Sequence, residues 1–337
     1  MKTKSILDVF IVFLVLFLSS CSDDPTMSIL YEPTPSVHIN PTWIDENTIA
    51  FESKGAKSVG PGWLSIVPEN RGVVGYNLSS GEYEMLIPEG LSPNANYLGN
   101  VVAGFQGNNT SPISVWTPQG LVSIGDTEEW QRRSKVCVNH DGTKLGWRNI
   151  SLGHDIGVWI YSLPTLEYLF VGTPDSDDEG SSNDSSNPVW HPVEDILLYS
   201  GTWVRGSGDS TIVISSIIEF HFSSGESDTL ATLDMGIRSM CYSPTGNQVA
   251  LIGAGPNERN HAIFVLDVTS GTYSKIKDHF GRGLSWGERG LVYNNDCGEL
   301  DDPGCGVLWL LDPSTGESSP ITQRFQFNFV DQGLLGF

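Results

Sequence analysis

The stretch "YSPTGNQVAL" (Tyr242–Leu251), followed by "AIFVLDVTSGTYSKI" (Ala262–Ile276), decides the fold. It opens on an aromatic residue, makes a polar turn through Pro and Gly, and continues as an apolar run. A second apolar run, an Asp-x-x-x-Gly turn and a more polar run follow. Runs rich in Val, Ile, Phe and Tyr are strand formers. Gly and Pro supply the positive or fixed φ that tight turns require. The stretch therefore reads as two consecutive hairpins, or four antiparallel strands.

Moving outward, the same pattern recurs. The first hairpin has further copies at "WIDENTIAF" (Trp43), "YLGNVVAGF" (Tyr97), "VNHDGTKLGW" (Val138), "WHPVEDILLY" (Trp190), "WGERGLVY" (Trp286) and "FVDQGLLGF" (Phe329). Successive starts lie 54, 41, 52, 52, 44 and 43 residues apart. The second hairpin follows each of the first six copies, as in "VVGYNLSSGEYEMLI" from Val73 and "VLWLLDPSTGESSPI" from Val307. Outside the N-terminal segment no 12-residue window carries the apolar stripe of an amphipathic helix. Four strands per unit at this period predict an all-β protein, a β-propeller of four-stranded blades. Each blade buries both faces against its neighbours, which accounts for continuous apolar runs such as "DILLYS" and "GVLWLL".

The pieces Trp190, "YSPTG" at Tyr242, "HDG" at His140, "LDVTSG" at Leu266 and "LDPSTG" at Leu311 resemble the TolB-like (WD40-like) propeller repeat. The resemblance covers nearly all of the chain after its leader. The Trp-Asp and Gly-His signatures of eukaryotic WD40 proteins are missing. The C-terminal copy from Phe329 to Phe337 supplies two strands, and Ser28 to Ile39 reads as the last two strands of a blade. Joined, they predict a composite N/C-terminal closing blade and seven blades in all. A six-bladed ring, which the TolB family favours, is the alternative.

The N-terminus reads as a targeting segment. Lys2 and Lys4 precede the apolar run "VFIVFLVLFL" (Val9–Leu18), which is short for a membrane span, and "LSSC" ends at Cys21. This order resembles the bacterial lipobox, which implies cleavage before Cys21 and lipid attachment at its thiol. Ser22 directly after the Cys is similar to outer-membrane lipoproteins. Ser followed by two Asp is similar to the surface-export signal of Bacteroidetes lipoproteins. The expected organisation is residues 1–20 as signal peptide, 21–27 as tether and 28–337 as one propeller domain. The protein would face the periplasm or the cell surface.

The 337 residues carry 18 Lys+Arg against 40 Asp+Glu, a formal net charge of -22. That field repels phosphate backbones and argues against nucleic acid as a partner. "GLSWG" (Gly283–Gly287) matches G-x-S-x-G, but it lies in a strand followed by another strand. A nucleophile elbow needs a strand running into a helix. Cys297 and Cys305 flank a loop, and their spacing suits a disulfide in an oxidising compartment. Cys137 and Cys241 occupy nearly corresponding inner-strand places and read as buried thiols. His140 and His191 lie in corresponding turns, and with His154 they share no metal-binding spacing. The acidic loops at Asp175–Ser186 and Glu299–Gly304 lack the calcium-loop pattern. Arg238 and Arg282 each precede the aromatic position of their units by four residues, so both can meet an anionic ligand near one mouth of the channel.

These features point to a monomeric, non-catalytic envelope lipoprotein with no cofactor or metal. It would bind a protein, peptide or glycan through blade loops or the channel mouth. The alternative is a hydrolase or lyase acting on polysaccharide fragments in the channel, as some TolB-like propeller enzymes do with His around a metal.

Overall fold

A computed structural model describes residues 36–322, apart from 61–62, 89, 96–101, 107–112, 118–119, 125–134, 150–156, 173–185, 206–211, 256–260, 280, 282 and 296–305. Every regular element described is a strand. Blade 1 comprises β1 (Ser36–Trp43), β2 (Thr48–Gly60), β3 (Trp63–Asn77) and β4 (Tyr83–Pro88). Blade 2 has β5 (Gly90–Ala95), β6 (Val102–Gln106), β7 (Ile113–Thr117) and β8 (Gly120–Ile124). In blade 3 the strands are β9 (Cys137–Val138), β10 (Lys144–Asn149), β11 (Gly157–Ser162) and β12 (Glu167–Gly172). Blade 4 is built from β13 (Val189–Trp190), β14 (Ile196–Arg205), β15 (Ile212–His221) and β16 (Glu226–Leu233). Next come β17 (Gly236–Tyr242), β18 (Gln248–Ala254), β19 (His261–Asp267) and β20 (Tyr273–His279) of blade 5. Blade 6 contains β21 (Leu284–Gly287), β22 (Gly290–Asn294), β23 (Leu308–Leu311) and β24 (Ser318–Pro320). Each of these six sheets is an antiparallel meander of four strands consecutive in the chain.

The repeated turn motifs have a direct physical basis. At the third hairpin turn of blades 5 and 6, the carboxylates of Asp267 and Asp312 accept the backbone N–H of Ser270 and Ser314, each at 2.8 Å. Asn77 does the same in blade 1, accepting from Ser79 and Ser80 at 2.9 Å. The glycine that ends each motif, Gly81, Gly271 or Gly316, has φ of 74°, 66° or 76°, the left-handed region that a Cβ penalises. Asp-x-x-x-Gly is thus a side-chain-capped turn closed by the residue best suited to that φ.

Core clusters lie between neighbouring blades. One joins Leu198, Ile217 and Leu233 of blade 4 to Met240, Val249 and Leu251 of blade 5. Another joins Trp43, Ile49, Phe51 and Val74 of blade 1 to Val292 and Leu308 of blade 6. Strands buried on both faces explain why β18 and β22 are almost continuously apolar.

The seven-bladed ring with a composite N/C-terminal blade is corrected. Phe329–Phe337 and residues 28–35 lie outside the described residues. Ser36–Ile39, however, belong to β1, the innermost strand of blade 1, and not to the outer half of a closing blade. β1 packs directly on β21 and β22 of blade 6. The backbone N–H of His38 donates to Gly306 O at 2.9 Å. His38 Nδ1 and Thr322 Oγ1 share a hydrogen bond of 3.0 Å. The backbone N–H of Trp43 donates to Ser285 Oγ at 3.1 Å. Blade 1 therefore seals against blade 6 with no further blade between them.

The run read from Ser28 to Ile39 does not stop at Asn40-Pro41. The strand instead continues through a bulge: pairing with β2 shifts register between Ile39 and Thr42, and Asn40 takes φ of 51°. A bulge is where a strand tolerates Pro.

Candidate functional site

The first strand of every blade faces the axis of the ring. Where these strands end and their turns begin, they enclose a cavity of about 360 Å³ with wall residues from all six blades. Two successive positions on each strand build the wall. The first is Thr42, Asn94, Val189, Cys241 or Ser285, with Cys137 at the equivalent place of β9 but outside the lining; the second is Trp43, Ala95, Val138, Trp190, Tyr242 or Trp286, and each second residue pairs with the start of the next strand.

The first position acts as a clasp between blades. Ser285 Oγ accepts the N–H of Trp43, Thr42 Oγ1 accepts that of Ala95 at 3.2 Å, and Asn94 Oδ1 accepts that of Val138 at 3.0 Å. Cys241 has the corresponding backbone hydrogen bond with Trp286. In blade 3 the Cys137 thiol turns back and donates to Gly146 O at 3.2 Å. Val189 has no polar atom to offer. Burial pushes both thiols well above their usual range, so neither is a ready nucleophile.

The second position supplies the aromatic lining. A Cβ on Gly287 would come within 2.6 Å of the Trp43 indole, so the glycine lets blade 1 seat against blade 6. Gly246, with φ of 76°, lies against His191, whose Nε2 would be 1.9 Å from an added Cβ. His191 is fixed on its other side as well: Nδ1 accepts the N–H of Glu194 at 3.1 Å and that of Val193 at 3.4 Å. Its ring meets Tyr242 edge-on at 4.9 Å. Burial lowers its pKa, which favours the neutral imidazole. The Tyr242 hydroxyl donates to Glu219 Oε1 at 2.7 Å, and burial raises its pKa.

His140, the other wall histidine, has Nδ1 3.8 Å from Asp195 of the next blade. Asp195 also takes Lys144 Nζ at 2.8 Å and Asn139 Nδ2 at 3.0 Å. This cluster joins the turns of blades 3 and 4. Asp45, Glu46 and Glu288 edge the cavity with negative charge. The wall also includes Lys135, whose amine desolvation pulls down to about 8. Its electrostatic neighbours Cys241, Cys137 and Glu52 come from three different blades.

Among the sequence-selected residues, Arg238 is exposed on β17, one residue before the cavity wall begins at Ser239. Its proposed mate Arg282 lies outside the described residues, as do Cys21, His154, Cys297 and Cys305. Ser285, the serine of the G-x-S-x-G match, sits in a strand-turn-strand hairpin and accepts the seam hydrogen bond. Lys135, Glu52 and Asp195 were not singled out from the sequence. The available signal was a basic residue just ahead of an inner strand in a chain with few of them. Among the described residues, no group of three or more His, Cys, Asp or Glu could hold a metal ion.

No family model and no curated protein matches the chain. Solved structures do. TolB from Acinetobacter baumannii aligns with a TM-score of 0.59 at 14% identity, over 76% of this chain and 61% of that one. This chain thus spans less than two thirds of TolB. The β-propeller domain of the Trilobed protease from Pyrococcus furiosus gives 0.52 at 14% identity, over 87% of this chain and 100% of that one. An oligogalacturonate lyase in complex with manganese gives 0.51 at 13% identity, over 86% of this chain and 90% of that one. The fold is a TolB-like β-propeller. At these identities the likeness extends to the fold alone.

Proposed function

We propose that this chain is a non-catalytic binding propeller of the bacterial cell envelope. It receives a protein, peptide or glycan partner at the channel mouth formed by the first-hairpin turns. The observation that carries this reading is the prior commitment of the reactive groups in the wall. Ser285 accepts a backbone N–H, His191 is held from both sides, and the thiols are kept protonated. What the cavity offers a visitor is aromatic surface from Trp43, Trp190 and Trp286 beneath the acidic edge of Asp45, Glu46 and Glu288. Aromatic walls with a few polar groups are typical of ligand pockets. Arg238 and Arg282 add cationic contacts for an anionic ligand or a partner's carboxylate. A disulfide between Cys297 and Cys305 staples the loop that leads into β23.

The lipobox resemblance supports a lipid anchor at Cys21 in the outer membrane. Cys21→Ala would then move the protein from the membrane to the soluble fraction, and persistent membrane fractionation would refute the anchor. For the partner, chemical cross-linking in intact envelopes followed by recovery of the tagged protein should yield a defined adduct. Trp286→Ala together with Glu288→Lys should abolish that adduct in a protein that still folds. Retention of the adduct by this variant would rule out the channel mouth.

A second reading is a lyase or hydrolase acting on polysaccharide fragments. It draws on His140, His191 and Lys135 in the cavity wall and on the fold shared with an oligogalacturonate lyase. Stoichiometric manganese, zinc or calcium in the purified protein, with release of unsaturated products from polygalacturonate, would favour it over binding alone.

A further inference from the structure

The outer edge of blade 3 carries a run of exposed apolar side chains, and with β8 of blade 2, which has neither charge nor Pro, it is one of two described edges without such guards along the strand. Leu166 is 68% exposed, Tyr168 42%, Leu169 40% and Phe170 38%, so most of the exposed large apolar side chains described fall in one short stretch. An edge strand presents unpaired backbone N–H and C=O groups, and proteins blunt such edges with charge or Pro. β4 carries Glu84 and ends on Pro88; β16 carries Glu226 and Asp228. β20 has Lys275, Lys277 and Asp278, and β24 ends on Pro320. β12 has a single charge, Glu167, at its first position. Among the described residues, no strand pairs with its outer side.

The apolar character comes from rows that cross the blade and stop at this edge. Trp147, Trp159 and Phe170 are cross-strand neighbours on β10, β11 and β12, with the last two rings 4.9 Å apart. Leu145, Tyr161 and Tyr168 form the next row, where the two tyrosine rings lie 4.7 Å apart. Rows of this kind stabilise a sheet through each added pair.

We propose that β12 pairs antiparallel with β12 of a second copy, about a two-fold axis through Leu169. Such an axis, perpendicular to the sheet, keeps every residue on its own face. Tyr168 then stands opposite the partner's Phe170, and Phe170 opposite the partner's Tyr168, so both aromatic rows run on into the second blade. Leu169 meets its own image. Glu167 faces the partner's Val171 instead of a second carboxylate. The edge matches itself in both shape and charge, and it offers a basic partner no acidic row to read. The register shift between β11 and β12 next to Trp159 ends the regular run at Phe170. The shared ladder is therefore short, and dimerisation falls among weak, small interfaces.

Two measurements on the intact protein in mild detergent test this. Sedimentation equilibrium should show a monomer–dimer equilibrium that strengthens with added salt, because each copy carries a formal charge of -22. Leu169→Lys should weaken it at least tenfold while leaving the melting temperature of the monomer in place. Under mild oxidation, Leu169→Cys should cross-link to a homodimer. Tyr168→Cys and Phe170→Cys should cross-link when mixed but not singly. A protein that stays monomeric at all concentrations would overturn the proposal. So would association that weakens with salt, or Leu169→Cys cross-linking no better than a cysteine at exposed Val193.

Discussion

The joint between blades 6 and 1 and the joint between blades 3 and 4 solve the same packing problem with different chemistry. The first joins the two ends of the described chain. It uses hydrogen bonds of fixed direction: Ser285 to Trp43, His38 to Gly306, and His38 to Thr322. Gly287 removes its own Cβ so that Trp43 can close down. The second joint lies between blades that follow one another in sequence. Its inner wall is apolar, built from Cys137, Trp190 and Leu197, and its polar contact is a half-exposed cluster around Asp195 in the turns. The contrast teaches where specificity is needed. The kind of clasp made by Ser285 also joins the consecutive blades 1–2, 2–3 and 5–6, so what sets the seam apart is the added pair of hydrogen bonds from His38.

The largest test of this contrast is Trp43→Ala, which empties the seam. Removing a buried Trp costs about 3–5 kcal/mol, to be read as a drop in the urea midpoint. Digestion by protease under native conditions should begin near residues 36–43. Trp190→Ala should cost a similar amount without that localised cleavage. Equal cleavage patterns for the two variants would mean the seam is no special weak point.

Acid should act on the seam next. His38 is fully buried, with its ring tilted against Phe51 at 4.6 Å, and burial lowers its pKa from 6.5 to about 3. The folded state therefore resists protonation that the unfolded chain accepts. This contribution is complete above pH 6.5 and is lost as pH falls from there toward 3, at about 1.4 kcal/mol per pH unit. His38→Gln should flatten that part of the stability–pH curve. An unchanged slope would remove His38 as its source.

A smaller effect is expected from Ser285→Ala. It deprives the Trp43 N–H of its acceptor, and leaving a buried donor unsatisfied costs about 1–3 kcal/mol. Thermal melts should show the loss, and Ser285→Thr should restore most of it. The smallest effect belongs to the opposite joint. Lys144→Met breaks the 2.8 Å contact with Asp195, a carboxylate that is 33% exposed, so solvent screening holds the loss to about 1 kcal/mol or less. That loss should shrink further at high salt, while the Ser285→Ala loss should not.

The repeat was legible because its turns repeat for a local reason. Asp267-x-x-x-Gly271 and Asp312-x-x-x-Gly316 cap themselves within five residues, and the apolar strands between such turns follow. The number of blades was not legible because a short apolar run does not reveal which strand of a blade it forms. Ser36–Ile39 read as outer strand, and only contact with blade 6 places them in the innermost strand β1. The cavity wall was legible at Trp43, Trp190, Tyr242 and Trp286, the aromatic positions of the repeat. Lys135 and Glu52 were not, because their proximity arises only when blades distant in sequence converge on the axis. Arg238, which its spacing along the chain puts near the mouth, is exposed on β17 one residue before the cavity wall begins at Ser239.

The 3.0 Å contact between His38 and Thr322 brings residues near the two ends of the described chain together. A gene rearranged so that a short linker bridges that point, with new termini cut between blades 3 and 4, should still encode the same ring. The covalent gap would then fall at a joint where the strand-to-strand clasp is missing, because the Cys137 thiol turns back to Gly146. Such a circular permutant would show whether the hydrogen bonds at His38, Trp43 and Ser285 are needed for the closed shape itself or only for a closure the backbone does not enforce.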